Sequence, residues 1–188
     1  MVQKLFMILL GAYPKGRLIE QHDVFFCIGK SIDELIPDII KSWPEAEGDI
    51  HIDAWREVTV VDNFSIEIIA REKNPTHQPQ KEKQLFFINL GGYKPEEFEE
   101  FHYKIILAAA NKAEAIKLAK QTAFYKHTGF KGAPSHIDEK YGIDVDDIFE
   151  MEDILPMSYK SKYQIQLHQT AAAVQDKFNI GYFNLKNW

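Results

Sequence analysis

Apolar residues alternate with period two at Phe6, Ile8 and Leu10, and again at Phe86, Ile88 and Leu90. Residues two apart on a strand share a face, so this spacing predicts strands over 4–10 and 84–90, with these six side chains turned toward a core. The opposite faces differ: Leu9 gives way to Asn89, which predicts a looser surface, partly exposed or at an interface. The two strands open segments that repeat at an offset of 80 (85 minus 5). Eight of the eighteen pairs from Leu5/Leu85 to His22/His102 are identical. A fixed-period repeat sets the domain count before any further element is read.

Each first strand runs into Gly-x-Tyr and a Pro-containing segment, Pro14-Lys15-Gly16 or Lys94-Pro95-Glu96, which reads as a loop. Second strands follow at about 22–28 and 102–109. Ser31-x-x-Glu34 and Asn111-x-x-Glu114 are capping-box patterns and predict a helix start in each unit. Pro37 predicts a kink or a late start in the first helix. Beyond the helices His51-Ile52-Asp53 matches His136-Ile137-Asp138 at an offset of 85 (136 minus 51). Phe64 to Ile68 reads as a strand, and Tyr163 to Leu167, with the cleaner alternation, as its counterpart closing the second unit.

The pattern therefore predicts an α+β protein of two tandem ββαββ repeats. Each resembles a β-grasp (ubiquitin-like) roll, with halves of a ferredoxin-like layout as the alternative. The expected division is 1–72, a polar linker over 73–83, a second unit over 84–168 and an extension over 169–188. In that extension Gly181 to Leu185 would add or cover an edge strand.

Several residues resemble an uncharacterised bacterial family, domain of unknown function 1543, which occurs in one or two copies. In the first unit they are Leu10-Gly11, Ile19-Glu20-x-His22-Asp23, the stretch Phe25 to Gly29, Pro37, Trp43, His51-x-Asp53 and Val61-Asp62. In the second they are Leu90-Gly91-Gly92-Tyr93, Glu97-Phe98 and Glu100-x-His102. The resemblance implies the two-copy architecture and brings no activity, cofactor or catalytic residue with it.

Composition narrows the class. Of the 188 residues 45% are hydrophobic, enough for a folded core. A net charge of −6 without a Lys/Arg-rich stripe argues against nucleic acid as a partner, since binding phosphates needs a cationic footprint. No apolar run approaches a membrane span. The N-terminal run Leu5 to Leu10 has the look of a short signal peptide, but it recurs in mid-chain and so reads as structure. Cys27, the one cysteine, lies in an apolar run and reads as a small buried hydrophobe in a cytoplasmic protein.

Chemistry concentrates in the repeat. Glu20-x-His22 and Glu100-x-His102 place a carboxylate beside an imidazole, an arrangement that suits a general base or a ligand site. Gly11 with Tyr13, and Gly91 with Tyr93, offer a backbone nest for an anion or a turn needing positive φ. His51, Asp53, His136 and Asp138 are secondary candidates. Repeated His and acids could assemble mixed nitrogen–oxygen metal sites, but the spacing is a weak signal without helical His-x-x-x-His or a Cys pair, so no metal and no cofactor is assigned. Asp144-Val145-Asp146-Asp147 reads as a solvated or strand-edge charge cluster. The expected function is a non-catalytic module binding a protein or small ligand, in a homodimer. A small hydrolase-like acid/base enzyme built on the Glu-x-His pairs is the alternative, favoured if those pairs share an open polar focus.

Overall fold

The period-two stripe does what it predicts. Phe6, Ile8, Leu10, Phe86, Ile88 and Leu90 are all buried, each on the central strand of an antiparallel sheet. The structure, a computed structural model, describes residues 2–72, 82–93, 96–122, 143–171 and 175–185. The chain divides into two units, Met1–Lys73 with Leu155–Trp188, and Asn74–Ile154.

In the first unit β1 (Lys4–Ala12) lies between β2 (Gln21–Gly29) and β3 (Ile50–Val58), and both neighbours run antiparallel to it. Helix α1 (Ile32–Ser42) connects β2 to β3 and buries Ile32, Leu35 and Ile39. It starts at Ile32 with no delay and continues through Pro37. Ser31 makes no side-chain cap; Glu34 alone acts, accepting from the Lys30 N–H at 3.0 Å. A second sheet joins β4 (Val60–Val61), β5 (Phe64–Ala70) and β9 (Tyr163–Gln169). The tail returns as β10 (Asn179–Asn184) and adds an edge to β3.

In the second unit β6 (Gln84–Tyr93) lies between β7 (Glu100–Ala109) and β8 (Ile143–Glu150), again with every pair antiparallel. Helix α2 (Lys112–Ala119) packs Ala115 and Ala119 onto Phe86, Ile88 and Leu90. Its capping box forms with the return bond shifted by one residue, to Ala110 instead of Asn111. Asn111 accepts from the Glu114 N–H at 3.0 Å, and the Glu114 carboxylate accepts from the Ala110 N–H and from Lys83 Nζ, each at 2.6 Å. The Lys83 bond, then the Ala110 bond, holds Glu114 below the usual carboxylate range. The unit ends in a one-turn helix, α3 (Met151–Ile154), with Met151 buried. Another one-turn helix, α4 (Met157–Lys160), belongs to the first unit. Its Tyr159 hydroxyl donates to Asp38 of α1. Burial and that bond push the Tyr159 hydroxyl pKa up. Burial, helped by nearby Asp38, pushes the Cys27 thiol up as well, in line with its reading as a small hydrophobe.

Two expectations need correction. A β-grasp roll pairs its first and last strands in parallel, whereas every strand pair described here is antiparallel. With β1 inserted between β2 and β3, and β6 between β7 and β8, each helix joins two parallel strands separated by a third, the split β-α-β arrangement. The second correction concerns Tyr163–Leu167. These residues do not close the second unit; β9 pairs with β5, with Ile68 opposite Ile165. The unit boundary therefore falls after Ile154, not at 168, and the linker expected over 73–83 is described only at Glu82 and Lys83. His136-Ile137-Asp138 lie outside the described residues; the segment paired with β6 is Ile143–Glu150. Gly11 pairs with His51 and Gly91 with Asp144. Among the described residues no helix is long and apolar enough to cross a membrane.

A candidate ligand site in the first unit

The candidate site is built on the face of β1 marked by Gly11. Register places Gly11 opposite His22 on β2 and opposite His51 on β3. Glu20, just before β2, shares the side of His22 by the two-residue rule. Asp53 arrives by a different device. Leu9 pairs with Ala54 but Leu10 with Ile52, so Asp53 is the extra residue of a β-bulge. On the other side of β3, Ile180 pairs with Ala54 and Phe183 with Ile52, so Gly181 and Tyr182 together stand opposite Asp53. Gly181 takes φ 149° there, a conformation that favours glycine. The Tyr182 ring then lies 4.3 Å from the His51 ring, centroid to centroid.

Gly11 itself is extended strand, not a positive-φ turn; among described glycines that conformation belongs to Gly16, Gly48 and Gly181. What Gly11 supplies is the absence of a side chain. A Cβ there would stand 2.3 Å from His51 Nε2 and 2.8 Å from Asp53 Oδ2. The bare backbone forms the floor under the cluster.

Four side chains close a ring above that floor. His22 Nε2 stands 3.4 Å from Glu20 Oε2 and 3.4 Å from Asp53 Oδ2. His51 Nε2 stands 3.2 Å from Glu20 Oε1 and 3.3 Å from Asp53 Oδ1. The inner half is closed, with the His51 side chain 9% exposed, while Glu20 and His22 are 42% and 44% exposed. Despite these approaches, His51 Nε2 and Asp53 Oδ2 are buried and make no hydrogen bond. Leaving such groups unsatisfied costs about 1–3 kcal/mol each. Such a group in a native fold calls for an explanation, of which a bound ligand is one.

The structure thus brings together Gly11, Glu20, His22, His51 and Asp53, which the sequence offered as separate pairs. Tyr13 is not among them: it is exposed, and its hydroxyl donates to the Leu18 carbonyl. The anion nest fails on charge, because the space over Gly11 is flanked by Glu20 and Asp53 carboxylates. In the second unit Gly91 pairs with His102 as Gly11 does with His22, and Glu100 opens β7. Tyr93 ends β6. Asp138 and His136 lie outside the described residues. Tyr182 escaped the sequence reading because the tail has no counterpart in the repeat. A glycine between aromatic and β-branched residues, as in Ile180-Gly181-Tyr182-Phe183, was the available sign of a bulge.

None of the curated proteins matches the chain. Among solved structures the chain is similar to the crystal structure of a protein Il1583 from Idiomarina loihiensis. The TM-score is 0.62 at 22% identity, over 97% of this chain and 98% of that one, which is a likeness of fold. Residues 17–68, the stretch that holds Glu20, His22, His51 and Asp53, match the model of a Domain of Unknown Function, DUF1543.

Proposed function

We propose that the chain is a binding protein whose small ligand sits over Gly11, against Glu20, His22, His51 and Asp53. One observation carries this reading: His51 Nε2 is buried, faces two carboxylates and bonds to neither. The two units are read as two copies of one ββαβ domain. Supporting this are the shared strand order, the shared positions of Gly11 and Gly91 against His22 and His102, and a bulge at Leu9/Leu10 matched at Asn89/Leu90. Asp144 pairs with Gly91 where His51 pairs with Gly11, so the ligand is assigned to the first copy.

Gently purified, untagged protein should show a mass in native mass spectrometry above that of the chain, and His51→Ala should lose the excess. A parent chain at its bare sequence mass, with melting unmoved by dialysis against chelator and high salt, would remove the proposal. The acid/base enzyme remains the second reading, because Glu20 and His22 do share a half-open polar focus with His51 and Asp53. Its mark would be turnover that falls in His22→Ala while ligand stays bound.

A further inference from the structure

We infer that copies of this chain bind one another through a pair of loops, the loop after β1 in one copy docking on the loop after β6 in another. The contact does not depend on what occupies the Gly11 corner.

The loops are counterparts. Gly11 pairs with His22 across the first and Gly91 with His102 across the second, so residues 14–19 correspond to 94–99 at the offset of 80. Both keep the same turn. Gly16 takes φ 84°, and at the matching position Glu96 takes φ 64°. Residues with a Cβ avoid that region, so the second loop holds the turn without the glycine that makes it easy. In the first loop the Arg17 N–H donates to the Pro14 carbonyl at 3.1 Å, and the Tyr13 hydroxyl ties down the Leu18 carbonyl. A loop fixed in advance loses less freedom on docking.

Each turn lifts one large apolar side chain into water. Leu18 is 93% exposed and Phe98 109%, the two highest values among the exposed large hydrophobic side chains described. They are repeat partners (98 minus 18 is 80). Ile19 and Tyr13, also exposed, widen the apolar surface of the first loop. Apolar residues scattered singly over a surface need no explanation, whereas here the extreme recurs at one position of the repeat.

Charge selects the occupant. Residues 14–19 hold Lys15 and Arg17 and no acid, a charge of +2. Residues 94–99 hold Lys94 with Glu96, Glu97 and Glu99, a charge of −2. Between two copies the loops therefore meet with opposite signs around an apolar centre, the layout of an interface with a polar rim. First loop against first, or second against second, would set like charges together. A reciprocal contact closes as a dimer, and a one-way contact continues as a chain of copies.

The test is sedimentation velocity on the untagged full chain at low salt and at about 0.5 M salt, where attraction between exposed charges is screened. The parent should self-associate with rising concentration, and salt should weaken it. Lys15→Glu with Arg17→Glu turns the first loop to −2, and Glu97→Lys with Glu99→Lys turns the second to +2. Alone, each double variant should associate at least about tenfold more weakly, because its two loops then carry one sign. An equimolar mixture of the two should associate again, each variant taking the other. Leu18→Ser should weaken association and leave the melt of the chain unchanged, since the tip packs between copies and not within one. A parent that stays monomeric up to about 1 mM overturns the inference. So does association that survives either reversal or Leu18→Ser, or that mixing does not restore. If the monomeric parent instead pellets with vesicles of anionic lipid, the occupant is a membrane and the contact between copies falls.

Discussion

Gly11→Ala is expected to destabilise the first unit by about 1–3 kcal/mol and to abolish ligand binding. The sign is the informative part. In an ordinary extended position, replacing glycine by alanine stabilises a protein by about 0.4–1 kcal/mol, because the unfolded chain has fewer states to lose. Gly11 is extended, so no backbone penalty confuses the comparison. The new methyl would stand 2.3 Å from His51 Nε2 and 2.8 Å from His51 Cε1, inside hard contact. His51 has little freedom to yield, being buried and held against Tyr182. If this clash is the cause, Gly11→Ala should cost much less in a His51→Ala background, where Asp53 Oδ2 at 2.8 Å is the close contact that remains. A double-mutant cycle in urea melts reads that coupling directly. Parent-like stability and binding in the single variant would show that the floor under the cluster is not what matters.

Asp176→Ala should cost about 3 kcal/mol, the lower end of the range for breaking a buried pair. The Asp176 side chain is 1% exposed and reaches back to the β3–β4 turn. Its carboxylate accepts from the Thr59 N–H at 3.0 Å and the Thr59 hydroxyl at 2.5 Å, and lies 3.5 Å from Arg56 Nη1. Burial pushes the Arg56 guanidinium pKa down and Asp176 pushes it back. Removal of the carboxylate leaves a largely buried cation beside the Phe178 ring, 5.3 Å from its centroid. Asp176→Asn keeps an acceptor for Thr59 and loses the charge, so it should fall between parent and alanine. Amide exchange should rise along β10 first, because Asp176 anchors the segment leading into it. A melt within about 0.5 kcal/mol of the parent would show that the tail is held elsewhere.

What the residues disclosed and what they concealed divides along a physical line. A period of two tells which face of a strand is buried, and Phe6, Ile8 and Leu10 were legible for that reason. The same period does not name the neighbouring strand. Tyr163 to Leu167 alternates well enough to close either unit, and hydrogen bonding to β5 decides the matter. Spelling does not give register either: the residue opposite Gly91 is Asp144, as His51 is opposite Gly11. Glu20 with His22, and His51 with Asp53, stood out as pairs from spacing. Their convergence depends on Gly11 standing between two strands and on a bulge that brings Asp53 beside His51, and a bulge has no letter of its own.

The unit boundary carries a consequence for how the chain comes into being. Strand β5 ends beside the start of β9: Ala70 lies opposite Tyr163, and the Arg71 N–H donates to the Lys162 carbonyl at 2.7 Å. Residues 74–154 thus enter the first unit at what would otherwise be a hairpin bend. During synthesis the partners of β5 and of the outer edge of β3 leave the ribosome only after the inserted unit is complete. The usual N-terminal-first order is reversed. Nascent chains halted once residue 155 has cleared the ribosome are expected to hold a protease-resistant second unit beside a first unit that is still cleaved, and the Gly11 corner gains Tyr182 only after that.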